Sequence, residues 1–337
     1  MRYLITGHTG FKGAWFSILL KELGHEVYGF SNGFESNSLY CQAELSRKIN
    51  GEHFGDIRKL NSISSYVLEC QPDFHVHFAA QSLVRESYRN PQMTFETNVL
   101  GTFNYLKAVQ ASESNKGVLV ITTDKVYENV EKMEGYNETD ELGGIDPYSS
   151  SKSIADLICQ SWMEMTTVPI AIARAGNVIG GGDRSNERLL PDIVRALISN
   201  EKLKIRSPHS VRPWQHVLDC LSGYLKIIED LVNQHTKDIW NVGPSDRNFK
   251  SVEFVVDQFL NEFGSNLKWE LSTSDSKMIE SKILTLDTTK IRKKLGWKDK
   301  LSVEQSISMV ANWEREVLKG INPYDACISD IKNYGSF

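Results

Sequence analysis

Two hydrophobic rhythms alternate through the first half of the chain. Arg2-Tyr3-Leu4-Ile5-Thr6 is short, apolar and β-prone and predicts a strand. Trp15, Phe16, Ile18, Leu19, Leu20 and Leu23 then recur at helical spacing, Gly24 closes that helix, and Glu26-Val27-Tyr28-Gly29-Phe30 predicts a second strand. A helix pattern follows Gly55-Asp56-Ile57 to about Cys70, ahead of a strand at Phe74-His75-Val76-His77-Phe78. Phe95, Val99, Phe103, Leu106 and Val109 set a helix over 94–111, and Val118-Leu119-Val120-Ile121 is the next strand. Pro147 opens a helix striped by Ile154, Leu157, Ile158, Trp162 and Met165, and Ile170-Ala171-Ile172-Ala173-Arg174 follows as a strand. Such alternation predicts an α/β fold with a doubly wound parallel sheet.

Past Asn177 the alternation breaks into short strands and helices, with Gly180-Gly181-Gly182-Asp183 read as a flexible loop. The expected organisation is a Rossmann-type domain over 1–176, rejoined by about 217–243. A smaller mixed α/β domain over 177–337 would face the substrate. No internal repeat or low-complexity segment interrupts this pattern.

Between the first strand and its helix lies Gly7-His8-Thr9-Gly10-Phe11-Lys12-Gly13. Its G-x-x-G-x-x-G spacing is one residue longer at the front than G-x-G-x-x-G. A strand, a glycine turn and a helix together aim backbone N–H groups from a helix N-terminus, a socket for a dinucleotide pyrophosphate. Glycines also punctuate ordinary loops, but this placement favours a cofactor. Ala79-Ala80-Gln81 ends a later strand with small residues, where backbone can lie close to a ligand. The second strand ends in Ser31-Asn32, where an acid gripping the adenosine ribose is expected. No arginine is there either, so NAD is the expected cofactor, held more weakly at this point, and NADP is not positively indicated.

With 337 residues, the chain suits one large or two moderate domains, and its net charge of -5 argues against a nucleic-acid partner. Cys41, Cys70, Cys159, Cys220 and Cys327 are odd in number and form no C-x-x-C pair. They fit a reducing cytosol and neither a disulfide framework nor a metal site. No apolar run approaches a membrane span, and a strand already under way at Arg2 leaves no room for a signal peptide. A soluble, cytoplasmic protein without membrane partners is expected.

Thr122-Thr123-Asp124-Lys125 stands at the carboxyl end of a predicted strand, the edge where ligands of doubly wound sheets sit. Tyr148 and Lys152 are four apart on a predicted helix and project on one face. A tyrosine of ordinary pKa, about 10, is a poor base at neutral pH. A lysine one turn away and a cationic nicotinamide would both favour its phenolate, suiting it to take a hydroxyl proton while hydride leaves the same carbon.

Gly7–Gly13, Thr123 and Tyr148–Lys152 together resemble the extended, sugar-nucleotide-modifying short-chain dehydrogenase/reductases. Thr122-Thr123-Asp124-Lys125, Arg174-Ala175-Gly176-Asn177-Val178-Ile179-Gly180-Gly181-Gly182-Asp183 and Arg212-Pro213-Trp214-Gln215-His216-Val217-Leu218 narrow the likeness to the CDP-glucose 4,6-dehydratase family. The resemblance implies a lyase of deoxysugar biosynthesis, O-antigen supply included. It would oxidise the sugar at C4, eliminate water across C5 and C6, and return the hydride to C6.

By resemblance, Tyr148 takes the 4-hydroxyl proton, Thr123 hydrogen-bonds the 4-oxygen and Asp124 protonates the departing 6-hydroxyl. The acid role requires Asp124 to stay neutral near pH 7, by burial or a nearby anion. Lys125 sits where dTDP-glucose relatives carry a glutamate that removes the C5 proton. It is either that base, an electrostatic stabiliser of the enolate, or a solvated charge at a strand end.

The resemblance further implies NAD contacts at Gly7, Thr9, Gly10, Phe11, Lys12, Gly13, Asp56, Ile57, Ala79, Ala80, Gln81, Asn98, Thr122, Tyr148 and Lys152. Asp56 reads equally as a residue capping the next helix. Asn177, Arg188 and Arg212 match positions that hold a nucleotide diphosphate, for which arginine's planar fork is suited. His216 either lines the same region or is a core histidine paired to backbone. The loop Tyr127-Glu128-Asn129-Val130-Glu131-Lys132-Met133-Glu134 lacks the tryptophans associated with the family's active-site loop, which leaves the sugar open. A 4-epimerase of the same fold, a 4,6-dehydratase for another nucleotide hexose and a non-catalytic NAD(H) sensor are the rivals. The helices over 94–111 and 148–165 carry surplus apolar surface, and in this family the equivalent pair forms an intersubunit bundle, so a homodimer or homotetramer is expected.

Overall fold

The computed structural model describes residues 1–113, 115–245, 249–272 and 283–337. Strands β1 (Arg2–Thr6), β2 (Glu26–Ser31), β3 (Gly51–Phe54), β4 (Phe74–His77), β5 (Val118–Ile121) and β6 (Ile170–Ala175) join Asp238–Val242 in one seven-stranded sheet. From one edge the order is Asp238–Val242, β6, β5, β4, β1, β2, β3, and every pair is parallel. The chain winds one way from β1 to β3 and the other way from β4 onward. The reversal opens a crevice at the carboxyl ends of β1 and β4, where this topology places its ligands.

β4, β5 and β6 are buried at every position, as strands covered on both faces must be. On one face Trp15, Phe16, Leu19 and Leu20 of helix Phe11–Glu22 pack with Leu218, Leu221 and Tyr224 of helix Val217–Gln234. On the other face Ile63 and Val67 of helix Leu60–Cys70 meet Tyr105, Leu106 and Val109, with Cys159 and Met163 of helix Pro147–Met165. A separate core joins Ile193 and Val194, Val255 and Phe259, and Ile307 and Val310, from three later helices. Two-stranded pairs such as Val178–Ile179 with Gln215–His216 connect the two parts.

The helix expected over 94–111 starts earlier, at Pro91, where a missing N–H costs nothing at a first helical position. It passes through one wide π turn at Glu96–Leu100 and ends at Val109. Gly180-Gly181-Gly182 is packed rather than free. A Cβ at Gly181 would lie 2.2 Å from the Trp313 ring, while the Gly181 carbonyl accepts from Trp15 Nε1 at 2.9 Å and the Gly182 N–H donates to Glu314 Oε1 at 3.0 Å. Those glycines serve close approach, not flexibility.

Candidate active site

The glycine turn has the shape a pyrophosphate needs. Gly7 adopts φ +73°, and a Cβ there would sit 2.8 Å from the Ala79 nitrogen; one on Gly13 would sit 2.2 Å from the Gly7 carbonyl oxygen. Helix Phe11–Glu22 opens at Gly10 with no side-chain cap and no acid in its first turn, so its leading N–H groups face the crevice uncompensated. Thr9 ties this turn to the tip of β2, with its hydroxyl 2.7 Å from Ser31 Oγ and donating to the Gly33 carbonyl at 2.8 Å. These residues fit the diphosphate of a dinucleotide such as NAD.

Opposite this turn, a polar frame follows β4. Asn98, buried within the π turn, donates to the Gln81 carbonyl (3.0 Å) and to Ser151 Oγ (2.8 Å), and accepts from the Gln81 N–H (2.8 Å). Ser151 passes the contact on to the Tyr148 carbonyl at 2.7 Å, and Ser87 Oγ accepts the Tyr148 N–H at 3.1 Å. Ala79 donates its N–H to Thr6 Oγ1 at 3.3 Å, and Ala79, Ala80 and Gln81 stay part-exposed along the crevice.

The chemical groups converge at the carboxyl end of β5. Asp146 caps helix Pro147–Met165 by accepting the Ser149 N–H at 2.9 Å, which fixes where Tyr148 emerges. The Thr123 hydroxyl donates to Asp124 Oδ1 at 2.9 Å, and it pulls down the pKa of the neighbouring Tyr148 phenol. Asp124 is 4% exposed, and burial raises its pKa against the pull of Lys125, the Thr123 hydroxyl, Arg212 and Lys12. Gly176 leaves room for it, since a Cβ there would lie 2.9 Å from Asp124 Oδ2.

Burial pushes Tyr148 up to about 12, opposed by the Thr123 hydroxyl and the charge of Arg188. Burial pushes Lys152 down to about 8, and its ammonium donates to the Ile121 carbonyl at 2.9 Å. Lys152, one helical turn from Tyr148, thus spends its ammonium on the last residue of β5.

Lys12 reaches into the same space from the glycine turn, 3.3 Å from the Tyr224 hydroxyl; burial lowers its pKa, and the charges of Arg188 and Asp124 both act on it. Arg188, half-exposed at the start of helix Leu189–Ser199, pairs with Asp183 at 3.5 Å. Arg212, on strand Val211–Pro213, donates to its neighbour's carbonyl and acts electrostatically on Asp124. Asn177 gives its carbonyl to the Gln215 N–H at 3.1 Å, linking the two substrate-side motifs. Lys125 is half-buried beside Asp124.

Four expected contacts are differently employed. His216 is fully buried; its Nδ1 accepts the Leu218 N–H at 3.2 Å to cap helix Val217–Gln234, and burial pushes its pKa down to about 3. That matches the core-histidine alternative. Thr122 spends its hydroxyl on Asp156 Oδ2 at 3.1 Å, away from the crevice. Asp56 is held by the Arg58 guanidinium at 2.7 Å, which lowers its pKa, and the following helix starts after Lys59 with no side-chain cap. Ile57 packs beneath helix Gly101–Val109, where a Cβ on Gly101 would approach its side chain to 2.7 Å.

The sequence reading missed the support under the site. Asp156 pairs with Arg174 at 2.7 and 2.9 Å, both fully buried, and Arg174 donates to the Tyr127 hydroxyl at 2.9 Å. Tyr127 in turn donates to Asn241 Oδ1 at 2.6 Å, from the last strand of the sheet. Asp156 was visible in principle as the next member of the 148, 152, 156 helical series, and Arg174 as a lone charge in an otherwise apolar strand.

Residues 4–310 match the family model of GDP-mannose 4,6 dehydratase. The chain is 37% identical over 346 residues to CDP-glucose 4,6-dehydratase of Salmonella typhimurium, covering 99% of this chain and 96% of that one. DesIV, the dTDP-glucose 4,6-dehydratase of Streptomyces venezuelae solved with NAD bound, superposes with a TM-score of 0.79 at 25% identity, covering 96% of this chain and all of that one. UDP-glucose 4-epimerase of Thermotoga maritima shares the fold, with a TM-score of 0.82 at 22% identity and coverage of 94% and 100%. The seven-stranded crevice, its glycine turn and these full-length similarities lead to one assignment: the chain belongs to the GDP-mannose 4,6 dehydratase family of extended short-chain dehydrogenase/reductases.

Proposed function

We propose that this chain is an NAD-dependent nucleotide-sugar 4,6-dehydratase that converts CDP-glucose to CDP-4-keto-6-deoxyglucose and water. The observation that carries the reading is the grouping of Tyr148, Thr123 and Asp124 beyond the carboxyl end of β5, with a base candidate at one side and a buried carboxyl hydrogen-bonded to Thr123 at the other. When bound, NAD supplies a hydride acceptor for C4 and a donor for C6, ending as it began.

Tyr148 takes the proton of the 4-hydroxyl, and Thr123 holds the 4-oxygen. With its pKa raised to about 12, the phenol gives up its own proton only with nearby cations, a part played by Arg188, whose charge acts on it, and by Lys152 one helical turn away. The 4-ketone acidifies C5–H, and Lys125 either takes that proton or balances the charge that builds on the oxygen. Asp124 protonates the departing 6-hydroxyl, a role that a raised pKa suits. Arg188, Arg212 and Asn177 grip the diphosphate.

Incubating purified protein with CDP-glucose and NAD should give the alkali-induced absorbance of a 4-keto-6-deoxy sugar with no net NADH. Recovery of unchanged CDP-glucose sinks the assignment for that nucleotide, and appearance of the C4 epimer would make the chain an epimerase instead.

The assembly we infer is at least a homodimer. Leu100 and Phe103 on one helix, and Ile154 and Leu157 on its neighbour, are exposed large apolar side chains, and Phe103 meets Trp162 edge-on at 5.2 Å. An apolar face of this kind on paired helices is the sort that a second copy buries. Sedimentation at micromolar protein should show a dimer or a tetramer; a monomer refutes it. Among the described residues no helix is long and apolar enough to cross a membrane. We place the enzyme in the cytoplasm, where its five free cysteines stay reduced.

A further inference from the structure

The loop that delivers Arg188 to the crevice is fastened at two ends to different parts of the molecule. At its root, Arg184 forms a bidentate pair with the buried Glu314 at 2.7 and 2.8 Å, and its guanidinium lies over Trp313. Arg195 holds the Arg184 carbonyl at 3.3 Å from the following helix. The root is therefore part of the C-terminal core.

At its tip the backbone turns through Glu187 in the left-handed region, φ +60°, which a non-glycine residue adopts only where its surroundings demand it. The Glu187 carboxylate crosses to helix Val84–Arg89, 3.1 Å from Arg89 Nη2 and 3.7 Å from Arg85 Nη1. The same short helix carries Ser87, which accepts the Tyr148 N–H. One carboxylate thus joins the loop that carries the cation to the element behind the proposed base. Arg188 follows Glu187 directly, and its charge is felt at both Tyr148 and Lys12.

We propose that Glu187 is a positioning residue: by pairing with Arg85 and Arg89 it clamps the 183–188 loop against helix Val84–Arg89 and holds Arg188 over the substrate diphosphate. This rests on the reading of Arg188 as a diphosphate ligand. Without the clamp, Arg188 samples positions away from the anion, and substrate binding weakens while the groups at C4 to C6 keep their places.

Steady-state kinetics of the full chain with CDP-glucose and saturating NAD test this. Glu187→Gln removes the charge; Glu187→Gly removes the side chain but accepts the left-handed backbone, which separates loop strain from ion pairing. Both should raise KM for CDP-glucose about three- to fivefold with kcat unchanged, the range for a partly exposed ion pair. An Arg85→Gln/Arg89→Gln variant should raise KM equally, and adding Glu187→Gln should raise it no further. Unchanged KM in Glu187→Gly, or additive effects in the combined variant, overturns the clamp. Arg188→Ala separates the two readings. Raised KM there with no Glu187 effect removes the clamp alone, whereas unchanged KM there removes the diphosphate assignment and the clamp with it.

Discussion

Asp124→Asn should lower kcat about 10³-fold, in the range typical of a lost general acid, while leaving the protein as stable as the parent or more so. The amide keeps the carboxyl's shape and can still accept from the Thr123 hydroxyl, but it has no proton to give the departing 6-hydroxyl. The stability half follows from burial. A carboxyl whose folded pKa is raised by desolvation stays protonated in the native state after the unfolded chain has ionised. Its favourable contribution is therefore complete below the unfolded pKa and is lost as pH rises through the folded one. The always-neutral amide escapes that loss, so the Tm difference between variant and parent should open above about pH 4, near the unfolded carboxyl's pKa, and then level off. A variant that keeps substantial turnover removes Asp124 from the acid role. One that melts well below the parent at pH 8 contradicts the electrostatic account.

Tyr148→Phe should lower turnover at least about 10³-fold with NAD affinity within about twofold, since only the phenolic oxygen goes and the ring remains in place. In the folded chain the Tyr148 backbone is held independently of that oxygen, through its N–H on Ser87 and its carbonyl on Ser151. The helix start and the cofactor crevice are thus independent of the hydroxyl. Cofactor affinity by calorimetry, measured beside single-turnover reduction of NAD by CDP-glucose, distinguishes a lost base from a damaged crevice. Retained hydride transfer would show that another group takes the 4-hydroxyl proton. Weakened NAD binding with normal chemistry would make the tyrosine a cofactor ligand only.

What could be read from the sequence was what neighbouring residues decide among themselves. The start of the sheet is legible because strand, glycine turn and helix follow one another without a break from Arg2 to Glu22 and their periods differ. Tyr148 and Lys152 could be placed on one face because they share a helix. Gly180-Gly181-Gly182 was misread because the meaning of its glycines lies in the helix carrying Trp313 and Glu314, 132 residues away from Gly182 in the case of Glu314. His216 stayed ambiguous because only the packing of the following helix determines whether its ring caps or faces a ligand. Thr122 and Thr123 are adjacent and chemically alike, yet the strand turns one hydroxyl to Asp156 and the other to Asp124. Asp156 and Arg174 each stood out as a charge at a core-facing position, but their pairing was not legible, because it joins a helix to a strand that only the fold brings together.

The position of Asn241 has a consequence for how the chain is made. Its strand, Asp238–Val242, is the only neighbour of β6 on that side, yet it begins 63 residues after β6 ends. At roughly 5–20 residues per second, a ribosome leaves β6 unpaired along that side for about 3–13 s, with Arg174 and Tyr127 still lacking the amide that completes their network. An open apolar ladder lasting that long is a natural point for a nascent chain to pair wrongly with another copy. Crowded expression would be expected to lose product at this step, before any question of the finished enzyme's stability arises.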